Sequence, residues 1–203
     1  MEPSDAAEAI SELGEGEKRA EERFRSRAAL VIAVMAMLLA ITSLGGGNVA
    51  EDIVANNIQA SNLWSFYQAK NARQTSYKLA ADELEAEIQL RQGAVTPELR
   101  QSLEAKIQQY RETVARYESE PDKGEGKKEL SERARSFEVE RDRALKQDTS
   151  FDFAEALFQI AIVLASVAIL SASRMILRLS VVLGAAAVLL MLNGFFMLFT
   201  LPL

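Results

Sequence analysis

The side chains that could carry chemistry are few and mostly of one kind. Asp82, Glu83, Glu85 and Glu87 lie close together, and Glu155, Gln159 and Asn193 stand in or beside otherwise apolar runs. Paired carboxylates can act as general acid and base when they face each other across a cleft. Here Lys78 and Arg91 flank the acidic group, and the pairs Lys78/Asp82 and Glu87/Arg91 have the i, i+4 spacing of a charged helix face. Among the 203 residues there is no Cys and no His. The commonest general base and metal ligand is missing, and so are thiolate chemistry and any disulfide framework. The sequence contains no Walker-type phosphate loop, no Gly-x-Ser-x-Gly elbow and no metal-ligand spacing. It argues against an enzyme and implies no cofactor, no metal and no nucleic-acid partner.

The elements that must position these groups are helices. Gly (10) and Pro (4) are scarce in a chain that is 49% hydrophobic with net charge -6, and Ala, Leu, Glu, Arg and Gln favour helix. The expected fold is all-α: three transmembrane helices plus a long antiparallel helical hairpin or coiled-coil domain. Residues 1–27 read as a polar tail, acidic then basic, disordered before a short juxtamembrane helix; its acidic part could also bind a partner. Residues 28–44 are transmembrane helix 1, 153–172 helix 2 and 179–199 helix 3, each apolar over a membrane-spanning length. The first is read as an uncleaved anchor over a cleaved signal peptide, because Asn48-Val49-Ala50 is a poor cleavage site. Gly45-Gly46-Gly47 predicts a break or hinge. Residues 171–178 read as a tight loop joining the last two spans.

Between the spans lies residues 48–152, an extramembrane domain. Its organising helix, 50–92, has apolar residues at Ile53, Ala60, Tyr67, Ala81 and Ile88, with Leu63, Tyr77 and Leu84 offset by three, which is a heptad seam. It is amide-rich as well: Asn56, Asn57, Gln59, Asn62, Gln68, Asn71 and Gln74. These read as solvated surface, as register-fixing polar residues in the seam, or as ligand contacts. A turn is expected at Gly93-Ala94-Val95. Thr96-Pro97-Glu98 then has the cap, first-turn proline and acidic residue of a helix start. That second helix carries Leu99, Leu103, Ile107, Tyr110, Val114 and Tyr117 on its seam. After the loop 118–126, a third carries Leu130, Ala134, Phe137, Arg141 and Ala144 and can run without a break into the second span. One helix of about 65 Å matches two shorter ones returning end to end. Leu84 is then expected opposite Ile107 and Tyr67 opposite Leu130; the rival pairs the second helix with the third, placing Ile107 on Phe137.

Within the first helix, Trp64-x-x-Tyr67-Gln68-Ala69-Lys70-x-x-Arg73, lying between one span and a later pair, resembles the bacterial family called domain of unknown function 4337. The resemblance covers most of the chain. It implies the architecture and a bacterial origin, and no catalytic residues. Trp64 and Phe66 flank the seam, where a two-helix hairpin would expose them; they and Tyr67, Gln68, Lys70 and Arg73 are candidate interaction residues. A wider seam or a tilted third helix would instead bury the aromatics within the chain.

Lys18, Arg19, Arg23, Arg25 and Arg27 precede the first span, and Arg174 and Arg178 lie between the last two. Three spans put both groups on one side, which positive charge marks as cytoplasmic, so residues 48–152 are expected in the periplasm of an inner-membrane, multi-pass protein. Arg141, Arg143 and Lys146 weigh for the rival, a cytoplasmic domain. Glu155, Gln159 and Asn193 are read as an intramembrane polar layer, with Gln159 bonded to Asn193 if the loop is symmetric, Thr42 and Ser43 near Glu155, and Ala161, Ala165, Ala168 and Ala172 as a close-packing stripe. The function expected is a structural scaffold in the lipid bilayer, self-associating as a homo-oligomer through its coiled-coil domain, with any protein partner unspecified. The alternative is a component or accessory of a transporter or channel, or a membrane sensor.

Overall fold

Long runs without proline, rich in strong helix formers, produce four helices: α1 (Pro3–Leu90), α2 (Pro97–Glu118), α3 (Lys127–Leu170) and α4 (Arg174–Phe196). They come from a computed structural model that describes residues 3–91 and 95–200, with side chains described from residue 15 onward except residue 17. Three of the helices, α1, α3 and α4, are long and apolar enough to cross a membrane. The turn expected at residues 93–95 falls largely outside the described residues. Contacts divide the chain into two compact units, Met1–Asp52 with Arg143–Leu203, and Ile53–Asp142.

In the first unit, apolar stretches of α1, α3 and α4 pack around Met35, Ala154, Phe158, Ala161, Ala187 and Met191. Ala154, Ala161, Ala165 and Ala168 are all fully buried, so the small-residue stripe of α3 lets its neighbours approach closely. Ala172 does not extend that stripe. It takes a left-handed φ of 50°, and Ser173 N–H bonds back to the Ala168 carbonyl at 3.1 Å, closing α3 in the manner of a Schellman turn. Ser173 then caps α4, accepting from Ile176 N–H. The connection is therefore residues 171–173 alone, and Arg174 and Arg178 stand on α4 rather than in a loop. Buried hydroxyls bond to backbone: Ser180 Oγ donates to the Ala161 carbonyl at 2.6 Å and Thr42 Oγ1 to the Leu38 carbonyl at 2.8 Å.

Two expectations about the first helix are corrected. Helix α1 begins at Pro3 where a disordered tail was anticipated, and i, i+4 ion pairs Glu15–Arg19 and Glu21–Arg25 support it. It also continues through Gly45-Gly46-Gly47. The glycines serve packing. A Cβ at Gly45 would come 2.8 Å from Phe195 and 2.9 Å from Phe151, one at Gly46 3.3 Å from Phe151, and one at Gly194 2.8 Å from Phe151. The Phe151 ring, 1% exposed, thus sits where three glycines leave room. Phe195 meets it edge-on at 4.9 Å.

In the second unit, burial follows the heptad along α1. Ala60, Lys70, Gln74, Ala81 and Ile88 are buried, and Ile53, Asn56, Leu63, Tyr67, Tyr77 and Leu84 are half-buried. Both returning helices contact α1. Ala81, Ile88 and Ile107 form one cluster, with Leu84, Leu103 and Tyr110 packed on it. Further along, Tyr77 lies between Tyr110 (5.4 Å) and Tyr117 (6.0 Å). On α3, Lys127 reaches Gln74, Glu138 reaches Trp64 and Arg141 reaches Asn57, while Leu130 and Ala134 are buried. As residue numbers rise on α2 and α3, their partners' numbers on α1 fall, so both run antiparallel to it. Thr96 caps α2 by accepting from Leu99 N–H, with Pro97 in the first turn. Leu99, expected on the seam, is 51% exposed.

The glycine pocket gives a signed contrast. Gly194→Ala crowds an immobile ring and is expected to lower stability by about 1–3 kcal/mol. Gly47, which has nothing within 4 Å of a built Cβ, is expected to gain up to about 1 kcal/mol as Ala from helix propensity. Thermal melts in detergent test both; a neutral Gly194→Ala would mean that Phe151 can move.

Candidate functional site

The seam of α1 places two polar residues, Lys70 and Gln74, at heptad positions between Tyr67 and Tyr77. A buried ammonium or amide is tolerated only with partners. Both find them where α2 ends and α3 begins. Lys70 Nζ, its side chain 7% exposed, donates to the Glu125 carbonyl and lies 3.8 Å from the carboxylates of Glu120 and Glu125. Its charge also sits over two rings, 5.3 Å from the centre of Phe66 and 5.5 Å from that of Tyr117. Gln74 Nε2 donates to the Val114 carbonyl and to Glu118, each at 2.9 Å. Its Oε1 accepts from Lys127 Nζ at 2.8 Å. Lys127 adds Glu118 at 3.1 Å and the Tyr67 ring at 5.5 Å.

The segment between α2 and α3 is built to meet these groups. Gly124 takes a left-handed φ of 64°, which glycine adopts without strain. Gly126 has no room for a side chain: a Cβ would stand 2.6 Å from Ser119 Cα and run into Glu129 and the Glu120 backbone. Glu129, in the first turn of α3, accepts from Ser119 Oγ and from Glu120 N–H, fixing the chain against the positive helix end. Two lysines, their acceptors and three aromatic rings thus form one clamp across the bend. Each ammonium is held by acceptors within the chain, so the arrangement ties the bend to α1.

Of the motif residues, Trp64, Tyr67 and Lys70 enter this region and Gln68 and Arg73 are exposed. Phe66 is 39% exposed although Lys70 covers one face. Trp64 is less exposed than expected: its indole N–H donates to Glu138 at 2.8 Å and its ring meets Tyr67 edge-on at 5.5 Å. Helix α3 covers it, as the wider-seam reading anticipated. Of the acidic group, Glu87 pairs with Arg91 at 3.2 Å as expected, and Glu85 pairs across helices with Arg111. Among the described residues Asp82 has no ion pair with Lys78.

The intramembrane layer takes a different form from the one expected. Asn193, 3% exposed, donates to Ser150 Oγ at 2.9 Å and accepts from Phe199 N–H at 2.8 Å. Gln159 is exposed. The pairing moved because α4 starts at Arg174, well before the point a symmetric eight-residue loop implies, and Ser150 rather than Gln159 comes level with Asn193. Glu155 lies close to Gly46, whose built Cβ would be 3.7 Å from its carboxylate. Sequence reasoning missed Lys127, Glu118, Glu120, Glu138 and Ser150. The only advance signal was the interruption of the apolar seam at positions 70 and 74.

The Gln74 amide, then Lys127, hold the Glu118 carboxyl below the usual carboxylate range. Its stabilising contribution is full above the unfolded chain's carboxylate pKa and is lost as pH falls through the lower folded value. Acid melts should therefore show a declining limb that Glu118→Gln flattens. Lys70→Met should lower stability by about 2 kcal/mol and speed amide exchange in residues 119–126; unchanged exchange there would remove the clamp. No curated protein and no solved structure matches the chain. The family described as Domain of unknown function (DUF4337) matches residues 24–197. With its motif lysine at the centre of the clamp and its three apolar helices in order around it, the chain belongs to that family.

Proposed function

We propose that the chain is an integral inner-membrane protein that acts as a structural scaffold, anchored by three membrane-spanning helices and self-associating through the antiparallel, coiled-coil-like unit of residues 53–142. The observation that carries this reading is apolar surface left on that unit after its own core is complete. Val54 (58% exposed), Ile58 (51%) and Phe66 (39%) lie along α1, and Val139 (66%) on α3. A two-layer helical unit has little core of its own, and a second copy is the simplest cover for such side chains. The absence of His and Cys supports a non-enzymatic role. The hydrogen bonds of Asn193 close within the chain, which favours a packing role for that layer over transport or sensing.

The basic residues Arg23, Arg25 and Arg27, with Arg174 and Arg178, support a cytoplasmic amino-terminal flank and a periplasmic position for residues 48–152. In this Cys-free chain, Arg100→Cys should react with an impermeant thiol reagent from outside spheroplasts and Met175→Cys should not; the reverse pattern would move the unit to the cytoplasm. Val54→Ser with Ile58→Ser and Val139→Ser, all at exposed positions, should weaken self-association in mild detergent and in bilayers while leaving the melting temperature near that of the parent. Trp64→Ala, by contrast, should lower stability, since it strips Glu138 of its indole donor. A parent chain that is monomeric in both media would end the scaffold reading.

A further inference from the structure

Four arginines converge at one end of the first unit. Arg23 and Arg27 of α1 and Arg174 and Arg178 of α4 line a groove of about 410 Å³ together with Phe24 and Leu177. Each pair sits at i, i+4, where like charges repel by about 0.2–0.5 kcal/mol. The ion pairs among the described residues include none of the four. Helix α4 carries no acidic residue, and α3 carries none beyond Glu155. On α1 the carboxylate of Glu21 is taken by Arg25 at 2.6 Å, and the exposed Glu22 beside Arg23 forms no ion pair with any of the four among the described residues. The positive end of α4, a helix of 23 residues, adds to the same field.

We infer that this groove binds the phosphate of an anionic phospholipid headgroup, an inference that rests on the membrane reading above. Guanidinium groups match phosphate oxygens in geometry and charge, and four of them exceed what a solvated surface face needs. The apolar walls and their surroundings distinguish a lipid from a free anion. Phe24 and Leu177 offer nothing to inorganic phosphate. One to two turns further along the same helices, Leu30 (66% exposed) and Val34 (45%) on α1, and Val181 (44%) and Val182 (64%) on α4, present apolar surface suited to acyl chains. Headgroup and chains of one molecule can then be met by continuous stretches of two helices.

The test uses the full chain in a mild nonionic detergent, with native mass spectrometry and titration of three probes: short-chain phosphatidylglycerol, short-chain phosphatidylcholine and inorganic phosphate. Phosphatidylglycerol should bind about tenfold tighter than phosphatidylcholine, and Arg174→Gln with Arg178→Gln should remove about tenfold or more of that affinity. Arg23→Gln with Arg27→Gln should do the same from the other helix, so that a local defect in α4 cannot imitate the effect. Arg133→Gln with Arg135→Gln, on exposed positions of the other unit, should leave it unchanged. Phosphate bound as tightly as phosphatidylglycerol would overturn the lipid assignment, and undiminished lipid binding by both double variants would overturn the site. Alkaline carbonate extraction separates the two readings. A parent chain that leaves membranes would bring down the membrane reading, and one that stays but shows no arginine-dependent preference would bring down the groove alone.

Discussion

A buried ammonium needs acceptors, and the position of Lys70 in the α1 seam makes that need the governing constraint on the helical unit. Apolar heptads alone fix register poorly, because one layer of Ala, Leu and Tyr can slide onto the next by a heptad at modest cost. Lys70 and Gln74 cannot slide. Their partners are fixed in place at the bend, the Glu125 carbonyl and the Glu120 and Glu125 carboxylates for one, and the Val114 carbonyl, Glu118 and the Lys127 ammonium for the other. A shift by one heptad would leave both desolvated and unpaired, at a cost of several kcal/mol. The place where the seam turns polar therefore sets where α2 must stop, how the bend must run and where α3 must start.

The bend itself shows how strictly that constraint is met. Gly126 is hemmed in by Ser119, Glu120 and Glu129, and Gly124 supplies the left-handed residue. Glu129 closes the turn from the α3 side. Aromatic rings shield the two lysines on the faces that lack oxygen acceptors, which strengthens the electrostatics by keeping water away. The same economy governs the apolar bundle, where the specifying element is volume rather than charge. Phe151 occupies space that Gly45, Gly46 and Gly194 vacate, so helix-weakening residues are retained inside helices because a ring must lie against their backbones.

Function follows from what these two devices leave over. The clamp consumes the ionic groups of the α2–α3 bend, and the bundle consumes Asn193, Ser150 and Ser180. Among the described residues, exposed apolar side chains include Val54, Ile58, Phe66 and Val139, and arginines line the groove formed by α1 and α4. The first suits another protein surface and the second suits phosphate.

Helix boundaries at Thr96 and Lys127, the three apolar stretches and the seam of α1 were legible in the sequence, because each depends on residues within a few turns of one another. The sequence also marked Gln74 as one of the amides that could fix register and Lys70 as a candidate interaction residue. It could not show what Lys70 and Gln74 bond to, since those partners lie 40 or more residues away and are brought near only by the fold. The glycine run was misjudged for the same reason: local propensity favours a break at Gly45-Gly46-Gly47, and the distant Phe151 and Phe195 pack where those glycines leave room in a continuous helix. The level of Asn193 depended on three residues of turn geometry at 171–173, which shifted its partner from Gln159 to Ser150. Periodicity and capping are short-range properties and belong to the sequence; partner identity across helices is set by turn geometry and by which buried polar groups must be satisfied, and that only the tertiary structure decides.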